Sequence, residues 1–136
     1  MILVDSSVWI DYFLGVRSDL TEQLDKWLDN ADDEVGVADL VVFEVMRGFS
    51  RPVEKNRAQD LLLTLNVVEI GGLDNALLAA EHYRELRERG YTIRSPIDVL
   101  LASYCITHNH LLLHRDADFD VMEYLKLCGT DRSYTK

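Results

Sequence analysis

Ile2, Leu3 and Val4 stand together with no polar residue between them, and Asp5, Ser6 and Ser7 follow at once. A run without polar alternation reads as a strand buried on both faces, so the sheet that contains it must carry helices on both sides. The run ends by delivering a carboxylate to its own carboxyl end. In an open α/β sheet that end is where ligands and chemistry gather, and the question is which other acids join Asp5 there.

Helical and strand-like stretches alternate behind it. Val8, Trp9, Tyr12 and Phe13 recur at helical spacing, with Ser6 or Ser7 as N-cap and Gly15 as stop. Ser18 caps a second helix in which Leu20, Leu24, Trp27 and Leu28 form one apolar stripe. Glu34 to Ala38 reads as a second strand. A third helix runs from about Asp39 to Gly48, apolar almost all round, with Glu44 in its middle. Pro52 opens a fourth helix that Asn66 closes, and Val67 to Ile70 is a third strand. After Gly71 and Gly72 a fifth helix places Leu73, Ala76, Leu77, Ala80, Tyr83 and Leu86 at core spacing and stops at Gly90. Ser95 and Pro96 start a sixth helix, apolar from Ile97 to about His108 and therefore central, with Asn109 as its left-handed stop. Leu111 to Leu113 is a fourth buried strand, and it too runs into acids: Asp116, Asp118 and Asp120. Val121 to Leu127 is expected to form a short helix leading into a last strand, with residues 129–136 a frayed tail. This pattern predicts an α/β fold, a mainly parallel sheet of four to five strands covered on both faces.

A chain of 136 residues with 48% hydrophobic content is the size of one ordinary domain, so residues 1–136 are expected to fold as one. No basic leader precedes an apolar core, and no apolar run approaches membrane-spanning length; a soluble, cytoplasmic protein is expected. Cys105 and Cys128 form neither a close pair nor a framework and read as reduced thiols. The net charge of -10 argues at first against a nucleic-acid partner. Its distribution weakens that objection, because Asp19, Glu22, Asp25, Asp29, Asp32, Asp33 and Glu34 crowd one segment against Lys26 alone. Arg47, Arg51, Lys55 and Arg57 face only Glu54 in the segment that follows.

Four acids have apolar surroundings: Asp5, Glu44, Asp98 and Asp116. Each also has a local explanation. Asp5 could cap the first helix, Glu44 could pair with Arg47, Asp98 could close a capping box with Ser95, and Asp116 could make a turn. Taken together they suggest more, since two lie at strand tips on the same sheet edge and two lie in helices too apolar to be surface. Four carboxylates at one partly buried edge repel one another unless a cation sits among them. Oxygen ligands select a hard divalent ion, magnesium or manganese, which can activate water and clamp the oxygens of a phosphoryl displacement.

The stretches Val4-Asp5-Ser6-Ser7-Val8-Trp9-Ile10-Asp11, Glu44-Val45-Met46-Arg47-Gly48, Ser95-Pro96-Ile97-Asp98-Val99-Leu100-Leu101-Ala102 and Leu112-Leu113-His114-Arg115-Asp116-Ala117-Asp118-Phe119 occur in this order across essentially the whole chain. In this the sequence resembles the PIN-domain nucleases, and within them the VapC-type toxins of toxin-antitoxin pairs. The resemblance implies a PIN-like three-layer fold and a Mg2+- or Mn2+-dependent endoribonuclease that leaves a 5'-phosphate. It implies Asp5, Glu44, Asp98 and Asp116 as catalytic metal ligands, Asp118 as a further acid near a second metal, and Ser7 as the hydroxyl that orients Asp5. It also implies RNA as substrate, a homodimer, and a VapB-type antitoxin whose helical segment packs in an apolar groove near the site. One departure is His114-Arg115, where relatives often carry a small hydroxyl residue before the fourth acid.

Other readings remain beside these. Arg47, Arg51, Arg57 and Arg115 could hold RNA phosphates. Trp9 and Phe13 suit a core better than an interface. His82, His108, His110 and His114 lack the spacing of a zinc site, and His108 suits a helix C-terminus. Asp11 and Asp120 resemble surface acids. A degenerate PIN domain acting as a binding module, or a solitary RNA-processing nuclease, are the alternatives in function.

Overall fold

The computed structural model describes residues 1–122 and 133–135. Its strands are β1 (Ile2–Val4), β2 (Val35–Ala38), β3 (Asn66–Val68), β4 (Leu111–His114) and β5 (Ser133–Thr135), in the order β3-β2-β1-β4-β5. Every neighbouring pair is parallel. Parallel neighbours need crossovers, and helices supply them. The helices α1 (Ser6–Phe13) and α2 (Asp19–Asp29) join β1 to β2, while α3 (Asp39–Met46) and α4 (Pro52–Leu63) join β2 to β3. Then α5 (Leu73–Glu88) and α6 (Pro96–His108) lead back to β4, and α7 (Ala117–Met122) follows it.

The chain steps outward from β1 to β3 and then returns past β1 to β4. Right-handed crossovers in these two directions put α1–α4 on one face and α5 and α6 on the other. The packing agrees: α1 contacts α2 and α3, α3 contacts α4, and α5 contacts α6. All four residues of β2 are buried, as a strand sandwiched between helix layers requires. The fold is thus the three-layer α/β arrangement expected from the pattern of apolar runs.

Trp9 is completely buried, so it belongs to the core. Phe13 lies half-buried, stacked on Trp9 at 5.7 Å and edge-on to Phe49 at 6.1 Å. Cys105 is buried in α6, and burial pushes its thiol up to about 12, which makes it an inert packing group. Cys128 lies outside the described residues. Among the described residues no helix is long and apolar enough to cross a membrane.

Gly36 shows how tightly β2 is enclosed. A Cβ there would collide with the Met1 thioether and come within 3.0 Å of the Asn66 carbonyl oxygen on β3. The methionine can move but the carbonyl belongs to the strand ladder. Gly36→Ala is therefore expected to lower stability by about 1–3 kcal/mol, read as a fall in the urea midpoint.

Several boundaries differ from the sequence reading. Of the three caps the sequence offered for α1, the structure uses Asp5 and not Ser6 or Ser7. β3 begins at Asn66 and ends at Val68, because its register is fixed by pairing with β2 rather than by its apolar residues. The expected frayed tail is corrected in part: Ser133–Thr135 pair in parallel with β4, whose outer edge would otherwise present unmet backbone groups. The remainder of that tail, and the part of the expected helix beyond Met122, lie outside the described residues.

Candidate active site

The strand order reverses between β1 and β4, and the ends of these two strands carry Asp5 and Asp116. Such a switch point opens a crevice, because the crossovers leave it in opposite directions. Asp5 is tied to its edge by the backbone: its N–H donates to the Leu113 carbonyl at 2.9 Å. Its Oδ2 accepts from the Ser7 N–H at 3.3 Å and from the Ser7 hydroxyl at 2.6 Å. The cap thus uses one carboxylate oxygen and leaves Oδ1 for a ligand. The helix-capping explanation and the ligand explanation are compatible, since each needs a different atom.

Asp116 repeats the device. Its Oδ1 accepts from the Asp118 N–H at 2.9 Å, and its carbonyl accepts from the Phe119 N–H at 3.1 Å, a turn that starts α7. The turn brings Asp118 back toward the crevice. One carboxylate oxygen from each of Asp98, Asp116 and Asp118 lies within 4.8 Å of the others.

Asp98 comes from the first turn of α6, which Pro96 opens at its first positions. The capping box imagined for Ser95 does not form, for the Ser95 side chain makes no cap bond. Asp98 is instead 8% exposed and turned among the other acids. Its pKa is pushed up to about 7, first by burial and then by the charges of Asp5, Glu44, Asp116 and Asp118. All five acids therefore share one electrostatic neighbourhood.

Glu44 projects from α3. Among the described residues its buried Oε1 has no hydrogen-bond partner, and no salt bridge joins it to Arg47. Burial raises its pKa; the Ser6 hydroxyl and the Arg47 guanidinium oppose that rise, and Asp5 adds to it. A buried carboxylate oxygen with no donor among the described residues, in a cluster where burial and like charge raise the pKa of Asp98, fits a cation. The donors are all carboxylate oxygens, so a hard divalent ion fits and a thiolate- or imidazole-preferring one does not.

The cations divide. Arg47 lies over the Phe43 ring at 5.5 Å and is close enough to lower the Glu44 pKa. Arg51 precedes α4 and pairs with Glu54 at 3.7 Å on the open surface. Arg115 contacts Asp11 of α1 at 3.5 Å. Asp11 and Ser6 take parts that the sequence reading did not give them, Asp11 as partner of Arg115 and Ser6 beside Glu44, because those partners are remote in the chain. His108 and His110 stack at 5.9 Å, and among the described residues no group of three potential ligands includes a histidine.

Ser7 offers a clean test of how Asp5 is held. Removing its hydroxyl frees Asp5 Oδ2 to rotate, and Ser7→Ala is expected to weaken Mn2+ affinity about tenfold in titration calorimetry. Unchanged affinity would show that the backbone N–H suffices.

Comparison with known proteins adds a family, two relatives and two solved structures. The family model described as PIN domain matches residues 2–123. The VapC ribonuclease Mb1587 of Mycobacterium bovis is 31% identical over 125 residues, covering 90% of this chain and 91% of that protein. Ribonuclease VapC11 of Mycobacterium tuberculosis matches with the same identity and coverage. Among solved structures, VapBC2 from Rickettsia felis bound to a promoter DNA fragment has a TM-score of 0.71 at 16% identity, covering 100% of this chain and 98% of that one. FitAcB from Neisseria gonorrhoeae has a TM-score of 0.71 at 22% identity, covering 90% and 94%. At those identities the structural likeness speaks for the fold.

Proposed function

The chain belongs to the PIN-domain family, and from that premise we propose that it is a divalent-metal-dependent endoribonuclease acting as the toxin of a type II toxin-antitoxin pair. The observation that carries the reading is Asp98: a buried carboxyl among four others, titrating near neutrality at the sheet's switch point. Such uncompensated charge has no use in a pure binding module. It has a use where a cation must be held.

Asp98, Asp116 and Asp118, with Asp5 Oδ1 and Glu44 Oε1, are the oxygens we assign to Mg2+ or Mn2+. When bound, such an ion supplies an acidified water and charge neutralisation for phosphodiester hydrolysis. The chain's own part is positional. Asp5 is fixed by the β1 ladder and by Ser7, Asp116 by its turn, and Asp98 by the start of α6; the oxygens of Asp98, Asp116 and Asp118 come within 4.8 Å of one another, and Asp5 and Glu44 lie outside that group. Arg47 and Arg115 flank these acids and are the groups we assign to RNA phosphates, with Arg51 farther along the same basic segment.

The relatives named as VapC ribonucleases favour the toxin role over a solitary RNA-processing nuclease. Ile10 on α1, Leu14 and Val16 just after it, and Phe43 on α3 are exposed apolar residues, which supports a partner helix of VapB type in a nearby groove. A homodimer and action in the cytoplasm complete the proposal.

The test is direct. Purified protein is incubated with single-stranded RNA and Mg2+, and product ends are mapped. Cleavage that stops with EDTA and leaves 5'-phosphate ends is expected; intact RNA at every Mg2+ and Mn2+ concentration would reject the nuclease reading.

A further inference from the structure

Arg115 lies between β4 and the Asp116 turn, and its Nε stands 3.5 Å from Asp11 Oδ2 on α1. Among the described residues the other ion pairs, Arg51 with Glu54, Arg84 with Glu81 and Arg89 with Glu85, join residues three or four apart. The Asp11 pair instead links α1 to the loop that carries a candidate metal ligand. Its side chains are 19% and 52% exposed, and surface pairs of this kind contribute little to stability. Its interest is where it puts the guanidinium.

The residue after Arg115 is Asp116, one of a group of carboxylates that attracts any nearby cation. A guanidinium settled on Asp116 or Asp118 would occupy the oxygens meant for the metal, and it would be lost to an RNA phosphate. Asp11 offers a rival carboxylate on another element. It engages the inner nitrogen, Nε, and leaves the outer edge with Nη1 and Nη2 for two phosphate oxygens. The backbone beneath is held on both sides: His114 is fully buried with its ring 4.8 Å from that of Phe119, and Asp116 closes its turn on the Asp118 N–H. The partner side is equally fixed, since the Asp11 carbonyl accepts the Val16 N–H that ends the α1 segment.

We infer that Asp11 is a positioning residue, holding Arg115 beside the acid cluster as a clamp for an RNA phosphate next to the one that is cut. This rests on the ribonuclease reading for its substrate. Its experiment is built to fail separately. Asp11→Asn, Arg115→Gln, the double variant and Asp11→Glu are titrated with labelled single-stranded RNA, phosphorothioate-substituted to resist cleavage, in Mg2+ and at several salt concentrations.

Arg115→Gln is expected to weaken binding about tenfold and to reduce the salt slope by about 0.7, one phosphate contact on a single strand. Asp11→Asn is expected to weaken it about threefold, Asp11→Glu to restore it, and Asp11→Asn to change nothing further once Arg115 is gone. With cleavable RNA the losses should appear in KM rather than kcat. Equal affinities across the single variants, or additive losses in the double variant, would overturn the inference whether or not the wild type cuts RNA. A wild type that fails to cut RNA while its binding still depends on Asp11 through Arg115 would leave the clamp standing and remove the ribonuclease reading.

Discussion

Asp98→Asn is expected to reduce RNA cleavage by on the order of 10²–10³-fold while making the metal-free protein more stable at pH 8. The two effects have one cause. Asp98 is 8% exposed and carries a pKa of about 7, against an ordinary value of 3.8, because burial and four neighbouring acids disfavour its charge. Between those two values the folded state binds a proton that the unfolded state does not. Stability from this group is therefore full below pH 3.8 and is lost as pH rises through about 7. At pH 8 the folded chain bears the whole penalty, on the order of 4 kcal/mol, and asparagine of the same shape does not. Denaturant unfolding in EDTA at pH 8 measures this. A variant less stable than wild type there would mean that the carboxylate serves the fold and not a ligand.

The metal should reverse that slope. In EDTA the wild-type Tm is expected to fall between pH 5 and pH 8, as Asp98 ionises. With Mg2+ at a hundred times its dissociation constant, the pH 8 Tm should rise by roughly 10 °C, from about 2.7 kcal/mol of linkage in a domain of this size. At pH 5 the rise should be much smaller, since a proton on Asp98 competes with the ion. Scanning calorimetry at both pH values, with and without Mg2+, gives the four numbers. Equal metal responses at pH 5 and pH 8 would exclude Asp98 from the ligand set.

Much of this could be read before any coordinates. Ile2-Leu3-Val4 and Leu111-Leu112-Leu113 lie in parallel strands, and each run leads within a few residues to an acid that reaches the same edge. Ser95 with Pro96 starts α6, and Asn109 ends it at φ 59°, a left-handed value suited to asparagine. What failed to show depends on pairing across space. Ser133–Thr135 has no apolar run and becomes a strand only because β4 has an edge to offer. The cap of α1 stayed open in the sequence because Asp5, Ser6 and Ser7 are all good cap residues, and the end of β1 decides for Asp5. Asp98 looked like half of a capping box, an arrangement that α2 does form, with Ser18 and Thr21. Asp11 looked like a surface acid because Arg115, its partner, is remote in the chain.

β1 has only three residues, yet it lies in the middle of the sheet with a strand on each side. Its amides point alternately to β2 and β4, and neither ladder lies at a sheet edge, so hydrogen exchange at Leu3 and Val4 should proceed through global unfolding. Asp118, by contrast, is carried by the six-residue α7, and Asp116 by the turn before it. The crevice is thus assembled from one wall that opens last and one that can open early. An ion bridging the two would transfer the slow exchange of the first wall to the second, and deuterium uptake at Ala117–Met122 would report its arrival.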